Sequence, residues 1–160
     1  MSKTLVACFS AGGNTARLGR AIAKAAEADF FEIKPETPYT ESDIRWTNPL
    51  ARCNKEKIGR KDVPIVGSVE DFESYDTVYI GFPIWYYGAP NIISTFVKAY
   101  DWEGKRIALF ATSGGSDIGK TAEKLSHNFR GKGEMTAAKV FTRSDQAEAV
   151  REFVAEIGQE

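Results

Sequence analysis

Five apolar runs, separated by helical or irregular segments, constrain the fold of this chain more than any other feature of its sequence. They span residues 4–9, 28–34, 76–82, 106–112 and 136–142. The first run, TLVACF, lacks the alternation of apolar and polar residues that marks a half-exposed strand, and it is typical of a strand covered on both faces. The runs therefore predict five strands, of which the fifth has the weakest composition.

Amphipathic segments between these runs predict helices. They span residues 15–27, 90–100, 117–129 and 145–158. In the first segment, Leu18, Ile22 and Ala25 recur at spacings of four and three, which predicts one apolar helix face. Alternating strands and helices predict an α/β fold, a parallel sheet with helices on both faces. For five strands in a single domain of 160 residues, we expect a doubly wound sheet with strand order 2-1-3-4-5.

Residues 35–70 depart from this alternation. Pro35 is expected to end the second strand, and three more prolines follow at positions 38, 49 and 64. A short helix over residues 49–58 is compatible with the sequence but is not decided by it. A long irregular segment inside a compact domain is usually functional or poorly ordered. The basic stretch 52–61 is interrupted by an acidic residue, and we interpret it as a solvated loop.

Composition excludes several classes of protein. The net charge is −1, from 21 basic and 22 acidic residues, so there is no basic excess of the kind that marks a nucleic-acid-binding protein. No apolar run approaches the roughly 20 residues that span a bilayer, and the N-terminal residues do not resemble a signal peptide. We therefore expect a soluble, cytoplasmic protein. Cys8 and Cys53 are expected to be free thiols, and with a single histidine, His127, they predict no metal site.

Ligands of doubly wound sheets bind at the carboxyl ends of the strands, near the point where the strand order reverses. This rule selects three loops, at residues 10–14, 83–89 and 112–119. The first, SAGGNT, leads into a helix N-terminus, where backbone N–H groups and the helix dipole favour an anion. Gly12 and Gly13 would let the backbone approach it closely. An ordinary turn capped by Asn14 or Thr15 remains the alternative.

The other two loops suggest different ligands. PIWYYGAP, residues 83–90, places three consecutive aromatic rings after a buried strand, and they either stack on a flat ligand or pack the rim of the core. TSGGSDIGKT, residues 112–121, matches the nucleotide-binding P-loop pattern, with Gly114 followed by Gly119-Lys120-Thr121. However, no apolar strand ends in an aspartate that could hold the metal ion of such a site, so a P-loop remains the less favoured interpretation.

Two further interpretations lack a required residue. A phosphatase with a cysteine nucleophile on the first loop has Cys8 available, but it needs an arginine six residues later, where this chain has Asn14; Arg17 lies already in the predicted helix. A phospho-accepting receiver domain needs an aspartate at the end of the third strand, where this chain has Gly81, Phe82 and Pro83.

Taken together, the three loops resemble those of the flavodoxins, and most closely those of a short-chain group that carries FS…GNT, GFPIWYY…AP and TSGGS…G in this order. The resemblance covers nearly the whole chain and implies a flavodoxin-like fold and noncovalently bound FMN. It implies that the phosphate is held by Ser10, Ala11, Gly12, Asn14, Thr15 and the backbone of Ala16. It implies that the flavin ring is lined by Pro83, Ile84, Trp85, Tyr86 and Tyr87. It implies that backbone donors to the ring come from Ser113, Gly114, Gly115 and Gly119. Trp46 is a further candidate ring contact.

The resemblance implies a one-electron carrier that exchanges electrons transiently with a reductase and an acceptor protein. Because such a carrier must expose its flavin edge, we expect a monomer. The alternative on the same fold is an enzyme that reduces quinones with a nicotinamide cofactor. Two departures from the family pattern stand out. Gly12 replaces the usual hydroxyl residue before GNT, and the chain is near neutral whereas many flavodoxins are strongly acidic.

Overall fold

The computed structural model describes residues 3–9, 14–35, 65–84, 91–112, 125, 129–131, 133–141 and 146–158. Within these ranges the strands are β1 (Thr4–Cys8), β2 (Asp29–Glu32), β3 (Lys34–Pro35), β4 (Ile65–Val66), β5 (Thr77–Pro83), β6 (Arg106–Thr112) and β7 (Glu134–Phe141). The α-helices are α1 (Asn14–Ala26), α2 (Asn91–Lys98) and α3 (Gln146–Gly158), and a short 3₁₀ helix spans Phe72–Ser74. Leu125 is also helical, within the predicted third helix.

The main sheet has five strands in the order β2-β1-β5-β6-β7. All four pairings are parallel. Numbered along the chain, these strands have the order 2-1-3-4-5, so the predicted strand order is confirmed. The order reverses between β1 and β5, because the chain first adds β2 on one side of β1 and then returns to its other side.

Helices cover both faces of this sheet, as predicted. Strand β5 shows how the residues are divided, because successive side chains of a strand point to opposite faces. Val78 and Ile80 pack in the cluster that contains the apolar face of α2. Tyr79 packs in the other cluster, together with the apolar faces of α1 and α3. Burial on both sides explains why the strands read as continuous apolar runs.

The apolar face of α1 differs from the predicted one. Leu18 and Ile22 are buried, but Ala25 is exposed. Viewed down the helix axis, the middle of the buried face lies between the directions of Gly19 and Ile22. At 100° per residue, Ala25 points about 90° away from that direction. Ala23 fills the place in the core that the spacing rule assigned to Ala25.

The last residues of the predicted second strand belong to a separate, two-stranded sheet. Strand β2 ends at Glu32, and Lys34 and Pro35 pair antiparallel with Val66 and Ile65. The prediction that Pro35 ends the strand was therefore wrong. Proline is tolerated here because a two-residue edge strand needs few backbone donors. The possible helix over 49–58, Trp46 and Cys53 lie outside the described residues.

The fifth strand of the main sheet, β7, begins two residues earlier than predicted. Its register against β6 shifts by one residue at Thr136, because Ile107 pairs with Met135 and Ala108 pairs with Ala137. A bulge of this kind adds local twist to an edge strand. No helix in the described part of the chain is long and apolar enough to cross a bilayer.

Candidate functional site

The carboxyl ends of β1, β5 and β6 meet at one edge of the sheet. In register, Cys8 of β1 pairs with Gly81 of β5, and Pro83 of β5 pairs with Thr112 of β6. Hydrogen bonds continue beyond the strands, because the Phe9 N–H donates to the Gly81 carbonyl at 2.9 Å and the Ile84 N–H donates to the Thr112 carbonyl at 3.0 Å. The three predicted site loops therefore start side by side.

A side-chain hydrogen bond joins two of these loops. The hydroxyl oxygens of Thr15 and Thr112 lie 2.7 Å apart, although the residues are 97 positions apart in the sequence. Thr15 lies in the first turn of α1 and is only 2% exposed. Thr112 is the last residue of β6. The N-terminus of α1 is thus tied directly to the strand that precedes the third loop.

Five of the residues assigned to the FMN site by resemblance lie within the described ranges. Asn14, Thr15 and Ala16 form the start of α1, and Pro83 and Ile84 lie at the end of β5. Thr15 and Ala16 are buried, whereas Pro83 and Ile84 are half-buried. The residues of the predicted site outside the described ranges are Ser10, Ala11, Gly12, Trp85, Tyr86, Tyr87, Ser113, Gly114, Gly115 and Gly119, and their roles stay predictions.

The start of α1 is suited to a phosphate group. The helix has 13 residues and no acidic residue in its first turn, so no carboxylate there opposes an anion. The first backbone N–H groups of a helix lack intrahelical acceptors and carry the positive end of the dipole. The hydroxyls of Thr15 and Thr112 lie directly beside this end. The donor set available here therefore fits a phosphate ester, although Arg17 in the same turn is exposed.

Cys8 cannot act as the nucleophile of a phosphatase. Its thiol is buried beneath α1, close enough to Gly19 that a methyl group added there would lie 3.2 Å from the sulfur atom. Burial raises the pKa of Cys8 to about 12, with a smaller contribution from the charge of Glu32. A nucleophilic cysteine needs a depressed pKa and access to substrate. Cys8 is a free thiol, as predicted, and its role is to pack the core.

This buried thiol gives a testable pH dependence. Above the ordinary thiol pKa of 9.0 the unfolded chain loses the Cys8 proton, whereas the folded chain keeps it up to about pH 12. We therefore expect the free energy of unfolding to fall by up to about 1.4 kcal/mol per pH unit above pH 9. Urea titrations from pH 8 to 10.5 should show a shallower fall for Cys8→Ala. Equal slopes in the two proteins would contradict this role of the thiol.

Within the described residues, no group of three or more histidine, cysteine, aspartate or glutamate side chains is arranged to hold a metal ion. The residues of the P-loop pattern, from Gly114 to Thr121, lie outside the described ranges. The described residues place neutral hydrogen-bond donors beside the N-terminus of α1. The adjacent second loop carries three aromatic residues in the sequence.

Known proteins resemble this chain along most of its length. The family model described as flavodoxin matches residues 3–157. The crystal structure of a candidate flavoprotein from Bacteroides eggerthii is 36% identical and superposes with a TM-score of 0.86 over 99% of each chain. A flavoprotein from Lactobacillus acidophilus, solved in complex with FMN, has the same fold at 22% identity, with a TM-score of 0.63 over 87% of this chain and 94% of that one.

A curated relative matches over a shorter stretch. Flavodoxin 1 of Escherichia coli is 35% identical over an alignment of 78 residues that covers 43% of this chain and 44% of the Escherichia coli protein. The matched stretch thus spans less than half the length of that relative. The family model extends over nearly all of the chain, and the observed strand order agrees with it. From this match and this topology we conclude that the chain belongs to the flavodoxin family.

Proposed function

We propose that this protein binds FMN at the carboxyl edge of β1, β5 and β6 and serves as a one-electron carrier between a reductase and an acceptor protein. The observation that carries this proposal is the connection of the three site loops by the Thr15–Thr112 and Ile84–Thr112 hydrogen bonds. They bring the phosphate-binding end of α1 next to the loop expected to line a flat ring. Only a ligand with both a phosphate and a planar group would use both loops.

Some residues of the chain would bind the phosphate of FMN, and others would orient its ring. Backbone N–H groups at the start of α1, together with the Thr15 hydroxyl, would hold the phosphate. Pro83 and Ile84 begin the segment that would lie along the ring, and the loop after Thr112 would supply backbone donors to the ring edge. FMN, when bound, supplies the electron-transfer chemistry, and the protein supplies its position and its surroundings.

We propose a carrier rather than a stand-alone enzyme because the family model described as flavodoxin matches residues 3–157 and the strand order agrees with it. The Cys8 thiol at the end of β1 does not exchange its proton near neutral pH, since burial raises its pKa to about 12. We further propose that it works as a monomer in the cytoplasm, where transient partners can reach the flavin edge.

The cofactor and the activity can be tested on the purified full chain. We expect a yellow protein whose absorption spectrum is that of a flavin and from which acid releases FMN. We also expect it to accept electrons from a flavodoxin reductase and to pass them to a one-electron acceptor such as cytochrome c. A colourless protein that does not bind added FMN would contradict the proposal.

Turnover without a reductase separates the carrier from the enzyme. The FMN-loaded protein is mixed with NADPH and a quinone, and oxidation of NADPH is followed by its absorbance. We expect no sustained oxidation until the reductase is added. Steady turnover by the protein alone would favour the quinone reductase that the sequence leaves as an alternative.

A further inference from the structure

Thr112 connects all three site loops, yet the sequence comparison with the flavodoxins assigns it no role. Its hydroxyl lies 2.7 Å from the hydroxyl of Thr15, at the start of α1. Its carbonyl accepts the Ile84 N–H at 3.0 Å, at the start of the aromatic loop. It is also the first residue of the third loop. A residue with these three connections can influence binding without touching the ligand.

The hydrogen bond between the two threonines has two possible directions, because either hydroxyl can be the donor. A hydroxyl has one proton to donate and two lone pairs that accept. If Thr15 donates to Thr112, its proton is used within the protein. If Thr112 donates to Thr15, the Thr15 proton stays available for an anion at the start of α1.

A bound anion favours the second direction. Hydroxyls in a chain polarise one another, so a negative charge at one end aligns the donors toward it. The start of α1 already favours an anion, because its first turn contains no acidic residue. Thr15 is only 2% exposed, so water has little access to replace Thr112 as its partner. The burial of Thr15 thus makes its orientation depend on Thr112.

We infer that Thr112 is a positioning residue for the phosphate of the cofactor. It donates to the Thr15 hydroxyl, fixes its orientation and leaves the Thr15 proton for a phosphate oxygen. This inference rests on the proposed FMN binding and adds a residue that acts through Thr15. It predicts that Thr112 contributes to the affinity for FMN and not to the affinity for riboflavin, which has the same ring system but no phosphate.

The test compares the affinities of the flavin-free full chain for FMN and riboflavin, measured by quenching of flavin fluorescence. Thr112→Val keeps the shape of the side chain and removes the hydroxyl. We expect it to weaken FMN binding about five- to tenfold, the effect of one net hydrogen bond, and to change riboflavin binding less than twofold. Thr112→Ser, which restores the hydroxyl, should recover FMN affinity. Thr112→Ala provides the same comparison if the valine variant does not fold.

Two further variants separate positioning from a general effect on structure. Thr77→Val removes a buried threonine hydroxyl at the amino end of β5, away from the proposed site. It should leave the affinities for FMN and riboflavin unchanged. In a Thr15→Val background, Thr112→Val should have no additional effect on FMN binding, because Thr112 acts through Thr15.

The outcomes are distinct. Equal loss of FMN and riboflavin affinity in Thr112→Val, or a further loss in the Thr15→Val background, would overturn the inference while leaving the proposed function in place. Unchanged FMN affinity in Thr112→Val would overturn it as well. Failure of the wild-type chain to bind FMN at all would instead overturn the proposed function, and the inference with it.

Discussion

Replacing Trp102 with alanine should lower the free energy of unfolding by about 4 kcal/mol, within the range expected for a fully buried tryptophan. Its ring has no exposed surface. It meets the rings of Phe72 and Phe129 edge to face, with centroids 4.9 and 4.8 Å away. The indole N–H also donates to the Val97 carbonyl at 2.8 Å, which is one of the last carbonyls of α2 and has no partner within that helix.

Urea unfolding followed by circular dichroism would measure this effect. Trp102→Phe is the matched control, because it keeps an aromatic ring and removes only the N–H donor and part of the packing. We expect it to cost about 1–2 kcal/mol, including the unpaired Val97 carbonyl. Trp102 lies before the amino end of β6, whereas the proposed site lies at the carboxyl end, so the folded variants should bind FMN with wild-type affinity. A cost below 1 kcal/mol for the alanine variant would contradict this account.

Replacing Gly81 with alanine should lower the free energy of unfolding by about 3 kcal/mol, the upper part of the usual range for overpacking a core. Gly81 lies within β5 and pairs with Phe110 of β6. A methyl group added to Gly81 would come within 2.1 Å of the Phe110 ring, closer than any real contact. Since Phe110 has no exposed surface, its ring cannot turn outward to make room, so the ring or the β5 backbone must shift within the packed core.

A double-mutant cycle would identify the cause of this destabilisation. Phe110→Leu removes the ring edge that clashes, so Gly81→Ala should cost much less in the Phe110→Leu background than in the wild type. Gly104→Ala offers a second comparison, because that position has a φ of 74° and open space around it. Its cost should be about 1 kcal/mol, the conformational penalty alone. A larger cost at Gly104 than at Gly81 would contradict the steric explanation.

Gly81→Ala should also affect the proposed site. The Gly81 carbonyl accepts the Phe9 N–H at 2.9 Å, and this hydrogen bond continues the pairing of β1 and β5 toward the first loop. A shift of β5 at Gly81 would move this carbonyl and disturb the alignment of the first and second loops. We therefore expect weaker FMN binding in the folded Gly81→Ala variant, in contrast to the Trp102 variants.

Lys105 shows how far a side chain can depart from what its type suggests. A lysine between a glycine and an arginine in the sequence would ordinarily be a solvated surface group, yet Lys105 is only 6% exposed. Its ammonium group donates to the carbonyls of Phe72 and Tyr75 and lies 4.8 Å from the centre of the Phe72 ring. Burial lowers the pKa of this lysine, and the two carbonyls stabilise its charged form. No spacing rule within the sequence could have indicated these partners.

The sequence predicts where the site lies, but not which side chains join its loops by hydrogen bonds. Loops after β1, β5 and β6 follow from the strand order, because parallel strands all end at the same edge. The sequence identifies Thr112 only as the first residue of the third loop, since its partner Thr15 is 97 positions away. A signal was present, because both are hydroxyl residues at loops predicted to meet. Choosing that pair among the other hydroxyls of these loops requires coordinates.

The sequence by itself determined the alternation of strands and helices, the strand order and the edge at which the loops lie. These features depend on local hydrophobic periodicity and on the order in which the elements are connected, and both can be read directly from the sequence. The tertiary structure alone decided the exposure of Ala25, the pairing of Pro35 with Ile65, and the contact between Thr15 and Thr112. These depend on the rotation of a helix and on the packing of distant segments, and the free energies that select among such arrangements are sums over many nonlocal contacts.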